Sequence, residues 1–223
     1  MHARLARLVF GGTCFICRGA ARAQLCEDCD ADLPRLRQPL CPRCALESPS
    51  GAICGRCLAQ PPHYDATFAA LGYAFPADAL VHALKFRGEL ALAPFLGKLL
   101  SSAIQDESID RVIPVPLSSA RLASRGYNQA VEIARHLARG KLDLDTCVRP
   151  RDAAPQTGLP WDERRRNVRG AFGCRRPLAG ASVAVVDDVM TTGATLDELA
   201  RTLKRAGAAR VVNWVVARTL PPS

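Results

Sequence analysis

A stretch near the C-terminal end of the chain combines an apolar run, two acids and a hydroxyl-rich loop. It covers residues 183–195 and reads VAVVDDVMTTGAT. A loop at the carboxyl end of a parallel strand opens onto the N-terminus of the next helix, where free backbone N–H groups and the helix dipole favour an anion. Gly193 would let the backbone approach that anion closely. The segment therefore predicts a phosphate-binding loop.

The two acids at the start of this loop require a different ligand group. Asp187 and Asp188 would repel a phosphate, whereas carboxylates accept hydrogen bonds from the vicinal hydroxyls of a ribose. The loop threonines Thr191, Thr192 and Thr195 supply hydroxyl donors for the phosphate. We therefore predict that the acids bind a sugar and that the loop binds its 5-phosphate. The alternative is a capped turn without a ligand, in which the acids end a strand and the threonines cap a helix.

Eight of the ten cysteines form four CxxC pairs in the N-terminal quarter of the chain. Two residues between the cysteines of a pair let both thiolates face one ion, and four thiolates complete a tetrahedral zinc site. The sequence therefore predicts two structural zinc sites. The predicted ligands are Cys14, Cys17, Cys26, Cys29, Cys41, Cys44, Cys54 and Cys57.

The spacing of the CxxC pairs leaves their pairing open. In a sequential arrangement, residues 14–29 hold one zinc and residues 41–57 the other, whereas an interleaved arrangement joins alternate pairs. A redox CxxC would need a thioredoxin-like setting. Disulfides are disfavoured if the chain stays in a reducing compartment.

The N-terminus and the hydropathy of the chain bear on its location. Residues 1–13 contain too short an apolar run for a secretion signal. No apolar run approaches the roughly 18 residues that a membrane span requires. We therefore expect a cytoplasmic protein that does not insert into membranes.

Apolar periodicity places these residues on an α/β framework. Residues 14–57 show no sustained helical or strand period, and Gln60 to Pro62 form a stiff linker, so we predict a zinc module at 1–61 and a second domain at 62–223. In that domain, strand and helix patterns alternate, which predicts a mostly parallel sheet flanked by helices. The predicted strands are 66–75, 111–115, 183–186 and 210–216, and the predicted helices lie near 80–84, 96–104, 131–138 and 196–203.

The net charge of +9 favours a polyanionic partner such as a phosphorylated sugar or a nucleic acid. Only four of the 30 basic residues are lysines, an arginine bias that the base composition of the coding DNA could produce alone. Aromatic residues make up 5% of the chain and offer little surface for stacking on bases. Charge therefore leaves nucleic-acid binding open.

The segment at 187–195 resembles the signature with which type I phosphoribosyltransferases bind 5-phosphoribosyl-1-pyrophosphate (PRPP), and it matches at every characteristic position. The resemblance implies that PRPP is the ligand and that the second domain has the type I phosphoribosyltransferase fold. The residues carried over as PRPP-binding are Asp187, Asp188, Val189, Met190, Thr191, Thr192, Gly193, Ala194 and Thr195.

Nearly the whole chain resembles the ComF family of competence proteins, which includes relatives known as gluconate-utilisation proteins. The resemblance rests on the four CxxC pairs, the 187–195 segment and several short motifs. Tyr127 stands where many relatives have Phe. The short motifs are Leu84-Lys85-Phe86, Pro114-Val115-Pro116-Leu117, Arg125-Gly126-Tyr127-Asn128-Gln129 and Arg164 to Asn167.

The resemblance implies roles for residues outside the phosphate loop. Residues 114–118 would form a pyrophosphate loop, and residues 150–168 a flexible loop that closes over the site. Lys85, Arg121 and Arg125 are then candidates to neutralise the pyrophosphate. Mg²⁺ would bind together with PRPP.

The resemblance also implies an enzyme, a PRPP-binding phosphoribosyltransferase (a pentosyltransferase) with Asp187 and Asp188 as catalytic residues and a link to DNA uptake in natural transformation. The sequence does not specify the acceptor. The alternative is a non-catalytic competence module that binds PRPP and single-stranded DNA. A zinc adaptor for a competence helicase would need no PRPP chemistry, and the intact 187–195 segment disfavours it.

Overall fold

A computed structural model describes residues 12–105, 108–138, 140–150 and 168–221 of the 223-residue chain. The motif at 164–167 and nearly all of the loop predicted at 150–168 lie outside the described residues. Within the described ranges, no helix is both long enough and apolar enough to cross a membrane.

In its described residues, 12–61, the N-terminal module consists of short elements only. Strands β1 and β2 pair antiparallel, and the CxxC pairs lie in or beside the turns and helices that follow. Elements this short cannot close a core of their own, so the module depends on its metal ligands and on packing against its neighbours. The elements are β1 (Gly12–Thr13), β2 (Ala20–Ala21), α1 (Glu27–Ala31) and α2 (Gly55–Ala59).

The remaining elements include the four predicted strands and the four predicted helices, together with a helix at 119–125 and short strands at 147–148 and 173–174 that were not predicted. They are β3 (Ala66–Gly72), α3 (Ala77–Phe86), α4 (Leu92–Ala103), β4 (Arg111–Pro114), α5 (Ser119–Arg125), α6 (Gln129–Ala134), β5 (Cys147–Val148), β6 (Gly173–Cys174), β7 (Ser182–Met190), α7 (Ala194–Arg205) and β8 (Arg210–Arg218). Gly207, just beyond α7, has a φ of +98°, as the predicted helix stop requires.

Four parallel strands form the central sheet in the order β3–β8–β7–β4. Val185 of β7 lies between Ile113 of β4 and Asn213 of β8, so β7 is a central strand. Its apolar run is buried on both faces, as helix-covered parallel strands require. The α/β class and the parallel sheet flanked by helices are therefore confirmed.

Alternate residues of β7 belong to cores on opposite faces of the sheet. Ala184 and Val186 pack in the core that also contains buried residues of α3, α4 and α6. Val183 and Val185 pack in the core formed with α7. Because both faces are covered, the carboxyl end of β7 is the part of the strand that can meet a ligand.

The zinc module covers the β3 edge of the sheet and reaches both cores. Gly72 of β3 donates its N–H to the carbonyl of Pro34 at 2.7 Å, and Thr67 donates to the carbonyl of Pro42 at 2.9 Å. Cys14 lies in the core under α4, whereas Cys41 lies in the core under α7. The module therefore buries more apolar surface than its broken sequence suggests, and the boundary at residues 61 and 62 stays a prediction.

Several predicted boundaries are wrong. The stretch at 119–125, expected as a loop, is helix α5, because the Ser118 side chain caps it by accepting from the Arg121 N–H and Gly126 ends it at a φ of +83°. Strand β3 ends at Gly72 rather than at residue 75, and α6 ends at Ala134 rather than near residue 138. These start and stop signals are local, and apolar periodicity alone does not contain them.

The two cysteines outside the CxxC pairs lie opposite each other, although the sequence presents them as unrelated. Cys147 of β5 and Cys174 of β6 are register partners in a two-stranded antiparallel ladder. Arg175 donates its N–H to the carbonyl of Thr146, so the cysteines occupy the next, non-hydrogen-bonded pair, in which side chains lie closest. Both are free thiols.

We predict that Leu199→Ala lowers the free energy of unfolding by about 2–5 kcal/mol, because Leu199 is fully buried between α7 and the sheet. Urea denaturation of the zinc-loaded protein, followed by circular dichroism, measures the change. The control is Leu122→Ala in α5, where the side chain is 45% exposed and the effect should stay within about 0.5 kcal/mol. Equal losses in both variants would contradict this packing.

Candidate phosphate-binding loop and zinc centres

The structure pairs the CxxC motifs sequentially. Cys14, Cys17, Cys26 and Cys29 form one cluster, and Cys41, Cys44, Cys54 and Cys57 form the other, with the sulfur atoms of each cluster within 4.8 Å of one another. The Cys17–Cys26 sulfurs are 3.7 Å apart, and the Cys44–Cys54 sulfurs 3.6 Å. Tetrahedral zinc with Zn–S bonds of about 2.3 Å requires sulfurs roughly 3.8 Å apart. The two thiolate sets therefore fit one zinc ion each.

The two zinc sites are built as structural copies of each other. In each, the N–H of the first cysteine donates to a carbonyl five residues later, from Cys14 to Gly19 and from Cys41 to Leu46, both at 2.7 Å. In each, a helix begins directly after the third cysteine, α1 in the first site and α2 in the second. Each copy therefore presents its four thiolates from one turn and one helix start.

Backbone donors favour the thiolate form of the first cysteine in each cluster, whereas burial raises the pKa of Cys29, Cys44 and Cys57. Burial raises the pKa of the Cys14 thiol, but the N–H groups around it, including that of Cys26, outweigh burial and lower the pKa to about 6. Burial likewise opposes ionisation of Cys41, but neighbouring N–H groups lower its pKa to about 7, and the nearest belongs to Cys54 at 3.3 Å. Because zinc binds the thiolate form, this chemistry fits the metal.

The phosphate loop lies between the end of β7 and the start of α7. Gly193 has a φ of +84°, which favours glycine. A Cβ at this position would lie 2.7 Å from the Met190 side chain and 3.1 Å from the Tyr64 hydroxyl. A larger residue in the turn that opens the helix would therefore be strained by the positive φ and would require the end of the Met190 side chain to move.

The acid pair at the start of the loop is held by its own backbone and by a lysine. Asp187 is half-buried and accepts the N–H of Asp188 at 2.9 Å, while Asp188 is 2% exposed and accepts the N–H of Val189 at 2.8 Å. Lys85 of α3 places its Nζ 3.0 Å from Oδ2 of Asp188. An ion pair therefore lies beside the proposed sugar site.

Burial and the negative charge of Asp188 raise the pH at which Asp187 ionises above that of an ordinary aspartate. Burial and then the negative charge of Asp188 raise the pKa of Asp187 to about 8, although Lys85 opposes this. Burial lowers the pKa of Lys85, but the carboxyls of Asp188 and Asp187 outweigh it, so the pKa of Lys85 is raised. The pair therefore combines one carboxyl that is paired with a lysine and one whose ionisation responds to a nearby cation.

Two of the three side chains predicted to neutralise pyrophosphate lie beside one aromatic ring. The Nζ of Lys85 and the guanidinium carbon of Arg125 lie 6.0 and 5.4 Å from the ring centre of Phe86. Arg125 also donates to the side chain of Gln129. Arg121 lies one turn before Arg125 on α5. The structure thus groups the motifs near residues 85 and 125, while their pyrophosphate role stays a prediction.

Arg218 is a residue of this site that the sequence reasoning missed. It lies at the end of β8, is 1% exposed, and donates to the carbonyls of Cys44, Met190 and Thr219, each at 2.9 Å. It also donates to the carbonyl of Thr191. An arginine that ends an otherwise apolar strand is a signal for such a role, because a buried cation must be paired with several acceptors.

A second arginine reaches the loop from the zinc module. Arg56 of α2 donates from Nη2 to the carbonyl of Thr192 at 3.1 Å. In the linker, the N–H and ring nitrogen of His63 lie 2.6 and 3.0 Å from a carboxylate oxygen of Asp197 in the first turn of α7. The second zinc site and the phosphate loop therefore touch through polar contacts.

Comparison with known proteins identifies relatives along the full length. Residues 5–58 match the family described as a double zinc ribbon domain. DNA utilization protein YhgH of Salmonella typhimurium is 36% identical, with 96% of this chain and 100% of the relative covered. Competence protein F of Haemophilus influenzae is 32% identical, with 94% and 98% covered. Competence protein ComFC of Streptococcus pneumoniae is 25% identical, with 87% of each covered.

Two solved structures show weaker similarity. One, titled as the allosteric regulatory enzyme of purine biosynthesis, is 24% identical with a TM-score of 0.37 over 56% of this chain and 25% of its own. A purine phosphoribosyltransferase from Pyrococcus horikoshii is 15% identical with a TM-score of 0.29 over 70% and 93%. Scores this low add no argument to the strand order and loop geometry described above.

The parallel sheet, the acidic strand end that leads into a phosphate loop, and the two thiolate clusters define a phosphoribosyltransferase-like protein with an N-terminal double zinc ribbon. Full-length identity above 30% then decides the family. The chain belongs to the ComF family of competence proteins, as the resemblance in its sequence implied.

We predict that the purified protein carries two zinc ions per chain and loses structure in the N-terminal module on chelation, because metal binding supplies the folding free energy that a small core lacks. Elemental analysis under reducing conditions and circular dichroism with and without EDTA test this. Cys147→Ser is the control, because it removes a cysteine outside both clusters and should keep both ions. Fewer than one zinc per chain would contradict the assignment.

Proposed function

We propose that the protein binds PRPP at residues 187–195 and transfers its phosphoribosyl group to an acceptor within the DNA-uptake pathway of competence. One observation carries the proposal, namely the acid pair at the end of β7 followed directly by a glycine turn at the N-terminus of the twelve-residue helix α7. This arrangement offers hydroxyl acceptors and anion donors side by side, which a ribose 5-phosphate requires.

The phosphate would be bound mainly by the backbone of the loop. The carbonyls of Met190, Thr191 and Thr192 accept from arginines, and the N–H of Ala194 donates to the Thr192 hydroxyl at 3.3 Å, so the anion would bind the other N–H groups of the turn. The positive end of the α7 dipole adds to this preference. The hydroxyls of Thr191 and Thr195 would complete the set of donors.

The ribose hydroxyls would bind the carboxyls of Asp187 and Asp188. These groups can also hold Mg²⁺, which prefers carboxylate oxygens and would neutralise charge on the pyrophosphate as it leaves. The raised pKa of Asp187 fits such a site, because a bound cation relieves the repulsion that keeps this carboxyl protonated. Lys85 and Arg125 would stabilise the departing pyrophosphate from α3 and α5.

The link to DNA uptake is supported by the relatives. They include proteins named for DNA utilization and for competence, and they match this chain over almost its full length. We place the reaction in the cytoplasm, where eight zinc-binding thiolates stay reduced. The acceptor is a nucleophile that approaches the anomeric carbon from the face opposite to the pyrophosphate.

Isothermal titration with PRPP and magnesium tests the binding step, and a pyrophosphate-release screen against nucleobases and short DNA tests the transfer step. We expect saturable binding at one site per chain and pyrophosphate release with at least one acceptor. Binding without release for any acceptor would favour a module that binds PRPP without catalysis. No binding would refute the proposal.

The second candidate is a non-catalytic module that binds PRPP and single-stranded DNA, with a competence helicase as a further partner. Two observations favour it, the net charge of +9 and the relatives named for DNA utilization. It shares the ligand site of the first candidate. The two therefore differ in whether the anomeric carbon is attacked and in whether the protein binds single-stranded DNA.

We predict that Asp188→Asn or Thr192→Ala weakens PRPP binding by at least about tenfold, near 1.4 kcal/mol, because each removes a hydrogen-bonding group from a charged ligand. Titration calorimetry gives the dissociation constants, and circular dichroism checks the fold. Thr192→Ser is the matched control, since it keeps the hydroxyl and should keep most of the affinity. Unchanged affinity in both test variants would move the ligand elsewhere.

PRPP affinity should rise with pH up to about 8 and then level off. The pKa of Asp187 is about 8, and the ribose hydroxyls donate to its ionised form, so binding at lower pH must first remove a proton. The ideal slope is about tenfold per pH unit. Titrations between pH 6 and 9 measure it, and Asp187→Asn keeps the titration of the ligand phosphate but should lose this slope. A slope shared by both proteins would assign it to the ligand.

Any binding of single-stranded DNA should be weak, independent of sequence and steeply dependent on salt. The excess of arginine supplies phosphate contacts, whereas few aromatic residues are present to stack on bases. Fluorescence anisotropy of labelled oligonucleotides between roughly 50 and 200 mM NaCl measures the salt slope. No binding at the lowest salt would show that the basic charge is compositional.

A further inference from the structure

Arginine side chains donate hydrogen bonds to three successive carbonyls of the phosphate loop. Arg218 donates hydrogen bonds to the carbonyls of Met190 and Thr191, and Arg56 donates to the carbonyl of Thr192. A peptide whose carbonyl is held on one side presents the N–H of the next residue on the other side. The arginines thereby direct the loop's donors towards the position proposed for the phosphate.

Arg218 connects this loop to the second zinc site. Its Nε donates to the carbonyl of Cys44, a predicted zinc ligand, at 2.9 Å, while its Nη1 serves the loop. The guanidinium is fully buried, so each acceptor that it loses leaves a cationic donor uncompensated. A shift of the Cys44 carbonyl is therefore transmitted to the loop.

The space between the zinc site and the loop is tightly filled. A cavity of only about 50 Å³ remains there, with Cys57 and Arg56 on one side and Thr192 and Gly193 on the other. Tyr64 is buried in the same place, and burial followed by the nearby charges of Cys57 and Cys44 raises the pKa of its hydroxyl. Close packing of this kind leaves little freedom for one side to move alone.

The first zinc site lies in a different part of the fold. Cys14 and Leu25 pack in the core on the opposite face of the sheet, with α3, α4 and α6. The two sites have the same ligands and the same local architecture, yet only the second borders the phosphate loop through the contacts described. The first site therefore serves as an internal control.

We propose that the second zinc site positions the phosphate loop through Arg218 and Arg56, so that zinc occupancy there and PRPP binding strengthen each other. The reciprocal part rests on the proposed function, because it requires PRPP to bind this loop. The structural part, in which zinc binding orders the loop, does not rest on the proposed function. Arg218 and Arg56 are positioning residues, and reciprocity follows from thermodynamic linkage between two sites on one protein.

The structural part is tested without any ligand, by hydrogen–deuterium exchange of the backbone amides at 191–195. Cys54→Ser removes one ligand from the second site and should speed exchange there at least about tenfold. Cys26→Ser is the matched control, because both cysteines are the third of their set and directly precede a helix. It should also lose one zinc but leave exchange at 191–195 unchanged. Equal exchange in the two variants would overturn the proposal.

A variant that keeps all eight zinc ligands separates an effect on the loop from misfolding of the cysteine variants. Arg56 is exposed, so Arg56→Ala should keep the fold and both zinc ions, yet it releases the carbonyl of Thr192 and should also speed exchange at 191–195. Arg22→Ala removes an equivalent exposed charge beside the first site and should leave exchange unchanged. Identical exchange in both arginine variants would refute the role of Arg56 as a tether.

The reciprocal part is tested by cysteine alkylation in the presence of a zinc chelator, with each cysteine followed by peptide mass spectrometry. Saturating PRPP with magnesium should slow alkylation of Cys41, Cys44, Cys54 and Cys57 by about fivefold or more, within the usual range of coupling between sites. The four cysteines of the first site should react at an unchanged rate, and Arg56→Ala should weaken the protection.

The exchange experiment and the alkylation experiment together distinguish failure of this inference from failure of the proposed function. If PRPP binds in calorimetry but protects both zinc sites equally, or neither, the coupling is refuted while the function stands. If PRPP does not bind, the proposed function and the reciprocal part fail together. The exchange experiment still decides whether the second zinc site orders the loop.

Discussion

A guanidinium buried at the end of β8 is the interaction on which the rest of the site depends. Arg218 has no access to water, so its donors must be matched by carbonyls from the surrounding chain. Those carbonyls belong to a zinc-site turn, to the phosphate loop and to the residue after the strand itself. One side chain therefore joins three segments that lie far apart in the sequence, and it ties the zinc module to the site it flanks.

The zinc module is part of the core rather than an appendage. Its connecting segment bonds to the outer edge of β3, which would otherwise expose unpaired backbone groups at the end of the sheet. The two thiolate clusters then take places in the cores on opposite faces. Removal of the module would uncover the sheet edge and both cores at once. Loss of activity in a truncated chain would therefore say little about which residues contact a substrate.

The two carboxyls of the acid pair lie in different electrostatic settings, which would suit the sugar and the leaving group of the proposed ligand. Asp188 is already compensated by Lys85, whereas Asp187 is held towards its protonated form by burial and by its neighbour. A cation that enters with the ligand would shift this balance and charge the second carboxyl.

The sequence by itself determined the elements whose causes are local. The CxxC spacing predicted eight zinc ligands, the apolar runs predicted a parallel sheet, and the segment at 187–195 predicted a loop between a strand and a helix, whose phosphate binding stays a prediction. Each rests on geometry within a few residues, either two thiolates on one turn or a strand that leads into a helix. The missed helix α5 also had local signals, in Ser118 and Gly126.

Tertiary structure alone decided which pieces meet. Sequential zinc pairing, the opposition of Cys147 and Cys174, and the contacts of Arg218 with Cys44 and of Arg56 with Thr192 join residues between 9 and 174 positions apart. Residue type and spacing do not predict contacts between residues so far apart in sequence, because the packing of both sheet faces brings the segments together. The arginine at the end of β8 reads in sequence as one more basic residue. Burial at the junction of three segments makes it the tether of the site.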